Sequence, residues 1–328
     1  MATFSFVIPV WNEQDVLPEL HRRLAAAADT LDGDCEFVIV DDGSTDRSAA
    51  VLSDLNARDP RVKVVSLSRN FGHQLAISAG LDFAGGDAVI IMDGDLQDPP
   101  ELVPQMVQRW MEGHEVVHAR RVERPGETRL KLGTARLFYW LLHRMADVKT
   151  HVDIGDFRLV DRRIADIVRN MREPNRYLRG IFAWVGFRQA VVDYDRDPRF
   201  AGETKFSFTR MVSFAADGLL SFSTTPLRLA VALGFLISAT AFLAGIAVIG
   251  LKVAGAFTAP GWASLIVILS LLAGVQLVVM GTIGLYVGRI YEQGKHRPLY
   301  LVDKTLGFTD PDQASVPVPT PESSADAG

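Results

Sequence analysis

Residues 88–98 read Ala88-Val89-Ile90-Ile91-Met92-Asp93-Gly94-Asp95-Leu96-Gln97-Asp98, and Pro99-Pro100-Glu101 follow. The apolar run is too hydrophobic to be exposed, so it reads as a buried strand. Open α/β sheets bind ligands at the carboxyl ends of their strands, so this strand delivers Asp93 and Asp95 to a crevice. Carboxylates so placed suit a hard divalent cation, which in turn holds phosphates. A plain strand-end turn, in which Asp and Gly satisfy backbone geometry, is the competing reading. Asp98 and the Pro-Pro pair look like the start of the next helix.

Outward from this stretch, short apolar runs alternate with amphipathic ones. Residues 4–10, 36–40, 62–67 and 88–92 have strand character, and 15–28, 46–56 and 74–83 have helical spacing. That β-α-β-α rhythm predicts an α/β fold with a mostly parallel sheet covered on both faces. The polar residues after each strand are therefore the ones to inspect. Strand one is followed by Trp11-Asn12-Glu13, and strand two by Asp41-Asp42-Gly43-Ser44-Thr45-Asp46. Helix capping accounts for Ser44 or Asp46. It does not account for adjacent carboxylates at a strand end, which can accept hydrogen bonds from a ribose or a base N–H.

The chain has 328 residues, enough for one large domain or two small ones, and a formal charge of −5. Residues 229–251 carry no charge, nor do 262–288, and each is long enough to cross a hydrocarbon core of about 30 Å. Two transmembrane helices are expected over 228–290. Arg210 and Arg228 precede the first, Arg289, Lys295 and Arg297 follow the second, and only Lys252 lies in the loop. The positive-inside bias puts both ends in the cytoplasm and predicts a multi-pass protein of the inner (plasma) membrane. Residues 1–4 carry no basic leader, and Cys35 is the only cysteine, which agrees with a cytoplasmic catalytic domain. The acidic, Pro/Ser-rich end of the tail 291–328 reads as disordered. Residues 206–227 read either as an interfacial helix or as an amphipathic helix packed on the domain.

Neither Gly-x-Gly-x-x-Gly nor a Walker loop is present, so phosphate charge must be met by metal and basic side chains. Arg120, Arg121, Arg124, Arg129, Lys131 and Arg136 form one basic cluster, and Arg199 and Lys205 flank Ala201-Gly202-Glu203. A solvated face or an anionic-lipid contact is the alternative use of such residues.

Several segments together resemble the polyprenyl-phosphate glycosyltransferases, the group of dolichyl-phosphate mannose synthase and the bacterial undecaprenyl-phosphate glucosyltransferases. They are Val7-Ile8-Pro9-Val10-Trp11-Asn12-Glu13, Val40-Asp41-Asp42-Gly43-Ser44, Ser68-Arg69-Asn70-Phe71-Gly72 and Met92 to Glu101. Gly155-Asp156-Phe157-Arg158-Leu159 and Arg199 to Ser207 continue the likeness, which runs from about residue 4 to about residue 300. The resemblance implies a GT-A fold, with a catalytic domain over 1–205. It implies that Pro9, Glu13, Asp42 and Asp93, together with Asp41 and Gly94, face the nucleotide sugar. Asp95 and Gln97 would ligate Mg²⁺ or Mn²⁺. Arg121, Lys131, Arg136, Arg199 and Lys205 would surround the phosphates, and Asp156 stands at the position assigned to a catalytic base.

The implied reaction is inverting: a polyprenyl phosphate oxygen attacks the anomeric carbon and nucleoside diphosphate leaves. A phosphate monoester, with its second pKa near ~6, is already ionised at neutral pH, so Asp156 is better suited to orienting a cation or a sugar hydroxyl than to taking a proton. Relatives of this kind imply UDP-glucose as the first donor to try, a membrane partner, an oligomer such as a tetramer, and no nucleic acid. Two other readings compete. A processive polysaccharide synthase would carry Gln-x-x-Arg-Trp, whereas the Arg-Trp here is Arg109-Trp110, without that Gln. A non-catalytic, membrane-tethered nucleotide-sugar-binding scaffold would need a defective site.

Overall fold

Alternation along the strands decides the layers. In β1 (Ala2–Val10), Phe4, Phe6, Ile8 and Val10 point to one face of the sheet. There they join Leu17, Leu20 and Leu24 of α1 (Leu17–Ala28) and Leu52 of α2 (Ser48–Arg58) in the core. Met106 of α4 (Val103–Met111) completes that face. Each such side chain contributes about 1.5–3 kcal/mol when fully buried. On the opposite face α3 (His73–Phe83) lies so close that a Cβ on Gly80 would fall 2.3 Å from Val7 Cγ1. A side chain there would push the helix off the sheet.

The computed structural model describes residues 1–121, 154–174, 176–195, 225–254 and 261–308. These fall into two compact units, one holding the described residues up to 195 together with 297–308, the other holding 225–254 and 261–296. The first unit is an eight-stranded sheet in the order β7-β5-β6-β4-β1-β2-β3-β8. Its other strands are β2 (Gly33–Asp41), β3 (Val62–Leu67), β4 (Ala88–Ile91), β5 (Val116–Arg121), β6 (Ile154–Asp161), β7 (Gln189–Tyr194) and β8 (Val302–Leu306). β6 runs antiparallel to β4 and β5, and β8 antiparallel to β3; the remaining pairings are parallel. Helices α5 (Arg162–Asn170) and α6 (Leu178–Trp184) separate β6 from β7. The expected mostly parallel α/β sheet is therefore present, and its first four strands begin and end within a few residues of the runs read from the sequence.

The start of the tail carries structure that the sequence reading did not assign, while the end read as disordered lies outside the described residues. Residues 302–306 form an edge strand on β3, and Ser68 donates its N–H to Leu301 O at 2.9 Å. Tyr300 is buried and its hydroxyl donates to Asp82, which also takes Arg172 Nη1 at 2.7 Å. Five residues without a strong apolar alternation give little strand signal; the open edge of β3 supplies the backbone partners that make them one.

The second unit contains α7 (Thr225–Val253) and α8 (Trp262–Gly294). Among the described residues one stretch, Leu271–Gly294, is long and apolar enough to cross a membrane, and Ala230–Ala244 is a shorter apolar stretch. Large apolar side chains stand exposed on both helices, Phe235, Phe242, Leu277 and Val278 among them. So much exposed apolar surface on a soluble helix pair would be unusual.

Candidate active site

The carboxyl ends of β1, β2 and β4 converge. Asp42 donates its backbone N–H to Val10 O at 2.9 Å, which joins the ends of β1 and β2. The loops that follow are laced together. Asn12, with φ +55°, receives the N–H of Thr45 on its side-chain oxygen at 2.8 Å and donates its own N–H to Ser44 Oγ at 2.9 Å. Glu13 donates its N–H to Ser48 Oγ at 3.0 Å, and Gln14 N–H reaches Asp46 at 3.3 Å. Ser44 and Asp46 thus brace the first loop against the second, and Asp46 also accepts the N–H of Ser48, the first residue of α2, at 2.9 Å, the capping role read from the sequence.

Asp41 and Asp42 are both buried. Asp41 accepts the N–H of Ser44 at 3.0 Å, while Asp42 accepts those of Phe71 and Gly72 at 2.7 and 2.9 Å. Burial raises the Asp42 pKa above the ordinary carboxylate value, against the pull of those two N–H groups. These carboxylates organise the loops beneath the crevice, and each oxygen retains a further lone pair for a ligand.

In the acidic patch the exposure alternates: Asp93, Asp95 and Gln97 are half-buried, whereas Gly94, Leu96 and Asp98 are buried. Close packing forces this. A Cβ on Gly94 would lie 2.8 Å from Val10 Cγ1 and 3.1 Å from Pro9 O, and Leu96 takes φ +59°, a strained conformation for a branched side chain. Asp95 accepts the N–H of Gln97 at 3.1 Å. Asp98 does not start the next helix as the sequence reading had it. A 3₁₀ turn at Pro100–Leu102 leads into α4, while the Asp98 side chain is fully buried under the patch. Tyr194 donates its hydroxyl to it, and Arg121 Nη2 lies 3.7 Å away. Burial, and then the charge of Asp93, push its pKa up to about 6. Oδ1 of Asp93 and Oδ2 of Asp98 are buried without a hydrogen bond among the described residues.

Antiparallel β6 returns Asp156 to this place. Its register with β4 pairs Ile91 with Arg158, so Asp156 stands across from Asp93, 63 residues away in sequence. Asp156 is buried and takes Arg179 of α6 through two bonds, Nε to Oδ1 at 2.9 Å and Nη2 to Oδ2 at 3.0 Å. His73 Nε2 lies 3.4 Å from Asp156 Oδ2 and 3.2 Å from Asp93 Oδ1, the latter an ion pair without hydrogen-bond alignment. Arg158 Nη2 is 3.6 Å from Asp156 Oδ1. Burial works against the charge of Asp156, yet His73 and then Arg179 outweigh it and hold the carboxyl well below the usual range. Burial likewise opposes the His73 charge, and Asp156 and Asp93 push its pKa up to about 10.

The donor atoms of His73, Asp93 and Asp156 all lie within 4.8 Å of one another, as metal ligands can. The three side chains also pair with one another, and Asp156 with Arg179, which makes the trio an ion-pair hub as it stands. Asp95 and Gln97, half-buried oxygen donors after the same strand end, suit a hard divalent cation by donor type.

Of the expected phosphate-binding residues, Arg121 is half-buried beside Asp98 and donates Nε–H to the Tyr194 hydroxyl at 3.1 Å. Its neighbour Arg120 turns outward to Asp193. Lys131, Arg136, Arg199 and Lys205 lie outside the described residues, as does the juxtamembrane segment up to residue 224. His73 and Arg179 were missed in the sequence. His73 follows a strand end, the place already known to carry ligands, and checking β3 as β1, β2 and β4 were checked would have found it. Arg179 sits in a short helix with no motif around it.

The fold and site define a mostly parallel α/β domain with an acidic, cation-bearing crevice at its strand ends. The chain belongs to glycosyl transferase family 2, whose model matches residues 5–168. It is 47% identical to an uncharacterized glycosyltransferase of Bacillus subtilis (strain 168), over 93% of this chain and 94% of that one. It is 38% identical to the bactoprenol glucosyl transferase of Shigella phage SfV, over 91% of this chain and 97% of that one. With the prophage bactoprenol glucosyl transferase homolog of Escherichia coli (strain K12) the identity is 36%, over 92% and 98%.

Proposed function

We propose that this glycosyltransferase moves a sugar, glucose first among the candidates, from a UDP-sugar to a polyprenyl phosphate with inversion, giving a lipid-linked monosaccharide. The observation that carries this reading is the state of Asp156. A hydroxyl acceptor needs a base in the site, whereas the carboxylate across from Asp93 is spent on Arg179 and His73. A phosphate monoester brings its own negative oxygen and needs cations around it instead. Bactoprenol glucosyl transferases matching nine-tenths of the chain support the same acceptor class.

The chain's own residues divide the work. Asp41, Asp42 and the Asn12–Ser44 lacing shape the floor on which base and ribose rest, with Pro9, Glu13, Asp93 and Gly94 around them. Asp95 and Gln97 would hold Mg²⁺ or Mn²⁺, which offsets charge on the leaving diphosphate when bound. Arg121, braced by Tyr194 and Asp98, adds a fixed cation, and Lys131, Arg136, Arg199 and Lys205 are assigned with it to the donor and acceptor phosphates.

The fold also supports a membrane hairpin. β8 is hydrogen-bonded to β3, and on our reading the sheet they share stays on one side of the membrane. The chain between them must then cross an even number of times. If Leu271–Gly294 crosses once, a second crossing is required, and α7, at 29 residues or roughly 43 Å, supplies it. With the positive-inside bias this puts the 1–205 domain and both ends in the cytoplasm.

Transfer of radiolabelled glucose from UDP-glucose to a short polyprenyl phosphate, with and without EDTA, tests the proposal. A labelled lipid that disappears with EDTA and returns with Mg²⁺ or Mn²⁺ is expected. Label found in a polymer would favour the processive synthase, and no transfer from any common donor would favour the scaffold.

A further inference from the structure

Three basic side chains meet at Asp156. Arg179, His73 and Arg158 face it at 2.9, 3.4 and 3.6 Å, with Asp93 beside His73 and Asp42 in reach of the His73 charge. Arg158 is fully buried; it donates to Gly155 O at 2.7 Å and stacks 4.6 Å from the centre of the Phe182 ring, so it serves as an internal counter-ion. The other two reach the crevice, with side chains 37% and 42% exposed for Arg179 and His73. Among the described residues, Nη1 of Arg179 has no partner.

The two exposed cations are also fixed relative to each other. Gln74, next to His73, accepts the N–H of Leu178 at 2.9 Å and points its amide at Asp156 Oδ2, 3.5 Å away. That bridge ties the first turn of α3 to the first turn of α6, where Arg179 lies. A bidentate carboxylate pair on one edge of a guanidinium leaves the other edge aimed in a set direction. Such a pair of preset cations matches a tetrahedral anion with several oxygens, which is a phosphate monoester.

We infer that Arg179 and His73 form the seat of the acceptor phosphate, with Asp156 as the positioning residue that presents them. The inference rests on the transfer to a phosphate monoester proposed above. In the step itself one phosphate oxygen forms the new bond to the anomeric carbon as the bond from that carbon to the donor diphosphate breaks. Both electrons of the broken bond leave with the nucleoside diphosphate, and no proton is transferred. The seat holds the attacking phosphate against repulsion from the donor diphosphate, which Asp95, Gln97 and Arg121 hold from the other side.

The test uses the full chain in detergent and the variants Arg179→Gln, Arg179→Lys and His73→Gln. Losing one charge-assisted contact weakens binding by roughly 10- to 100-fold, so KM for a short polyprenyl phosphate should rise by about that factor in Arg179→Gln and His73→Gln. Affinity for UDP, read by calorimetry, should stay within about 2-fold, and Arg179→Lys should recover part of the loss because it keeps the charge. A parallel fall in UDP affinity would assign the two cations to the donor and overturn the seat. An unchanged acceptor KM would overturn it as well. Should Arg179→Gln fail to fold with Asp156 left unpaired, the double variant Arg179→Gln/Asp156→Asn removes both charges, and it must show the same acceptor defect. Calorimetry of a short alkyl phosphate on the wild type separates this inference from the function. Binding without any sugar transfer keeps the seat and sinks the function; absence of binding sinks the seat.

Discussion

Replacing Asp156 with Asn keeps the side-chain volume and removes the one charge that holds Arg179, His73 and Arg158 together. Removing one partner of a buried pair costs about 3–5 kcal/mol, because the remaining charge is left uncompensated. Water reaches Arg179 and His73, so we expect less than that range, about 2–3 kcal/mol, read as a fall in the unfolding midpoint. The kinetic consequence is more specific. In the variant His73 keeps Asp93, 3.2 Å away, and the weaker pull of Asp42, and its pKa falls from about 10 toward the ordinary 6.5. The sign follows from the raised value: the stabilisation from the charged ring is complete below about 6.5 and vanishes as pH rises through 10. After screening at the exposed ring edge it amounts to about 1–2 kcal/mol. The pH–rate profile of the wild type should therefore stay level well above pH ~8, while that of the variant declines from about pH 7 upward. Both should share an acid limb near pH ~6, set by the second ionisation of the acceptor phosphate. A wild-type acid limb that disappears in Asp156→Asn, with rate lost uniformly at every pH, would show that Asp156 takes a proton after all.

Gly94→Ala places a methyl group 2.8 Å from Val10 Cγ1 and should cost about 1–3 kcal/mol by overpacking, while raising the metal concentration needed for half-maximal activity. Asp59 is pushed down to about 2 by Arg61 and His21 against the opposing effect of burial, so its pairing stabilises the fold above about pH 4 and is lost as pH falls toward 2. Asp59→Asn should lower stability at pH ~7 by about 1–2 kcal/mol, with the gap to wild type closing in acid urea titrations. Tyr300→Phe removes a hydrogen bond to Asp82 that Arg172 only partly replaces; about 1 kcal/mol of stability and faster hydrogen exchange in β8 should follow.

The core strands and helices of the first unit were legible because they obey local rules. Period-two and period-3.6 patterns mark β1 to β4 and α1 to α3, and Gly and Asp clusters mark the turns between them. The strand-end position of Asp93 and Asp95 was legible for the same reason, whereas Gln97 entered only with the family resemblance. What failed were inferences about partners. Asp98 looked like a helix start from its Pro neighbours, yet Tyr194, almost a hundred residues on, captures it beneath the patch. Ser44 looked like a cap and instead braces the neighbouring loop, whereas Asp46 does cap α2, by accepting the Ser48 N–H, and reaches Gln14 N–H as well. β8 was hidden because its strand character comes from the open edge of β3 and not from its own residues.

The sequence by itself determined the α/β class, the acidic strand end, the apolar helices and the likeness to one enzyme group, all of which rest on residues close together in the chain. Only the tertiary structure decided what surrounds Asp156. An antiparallel β6 carries it to Asp93, and α3 and α6 bring His73 and Arg179 from either side. Those contacts cross 23 to 83 residues of chain. The charge state of a buried carboxylate is set by what lies within a few ångströms, which no local pattern encodes.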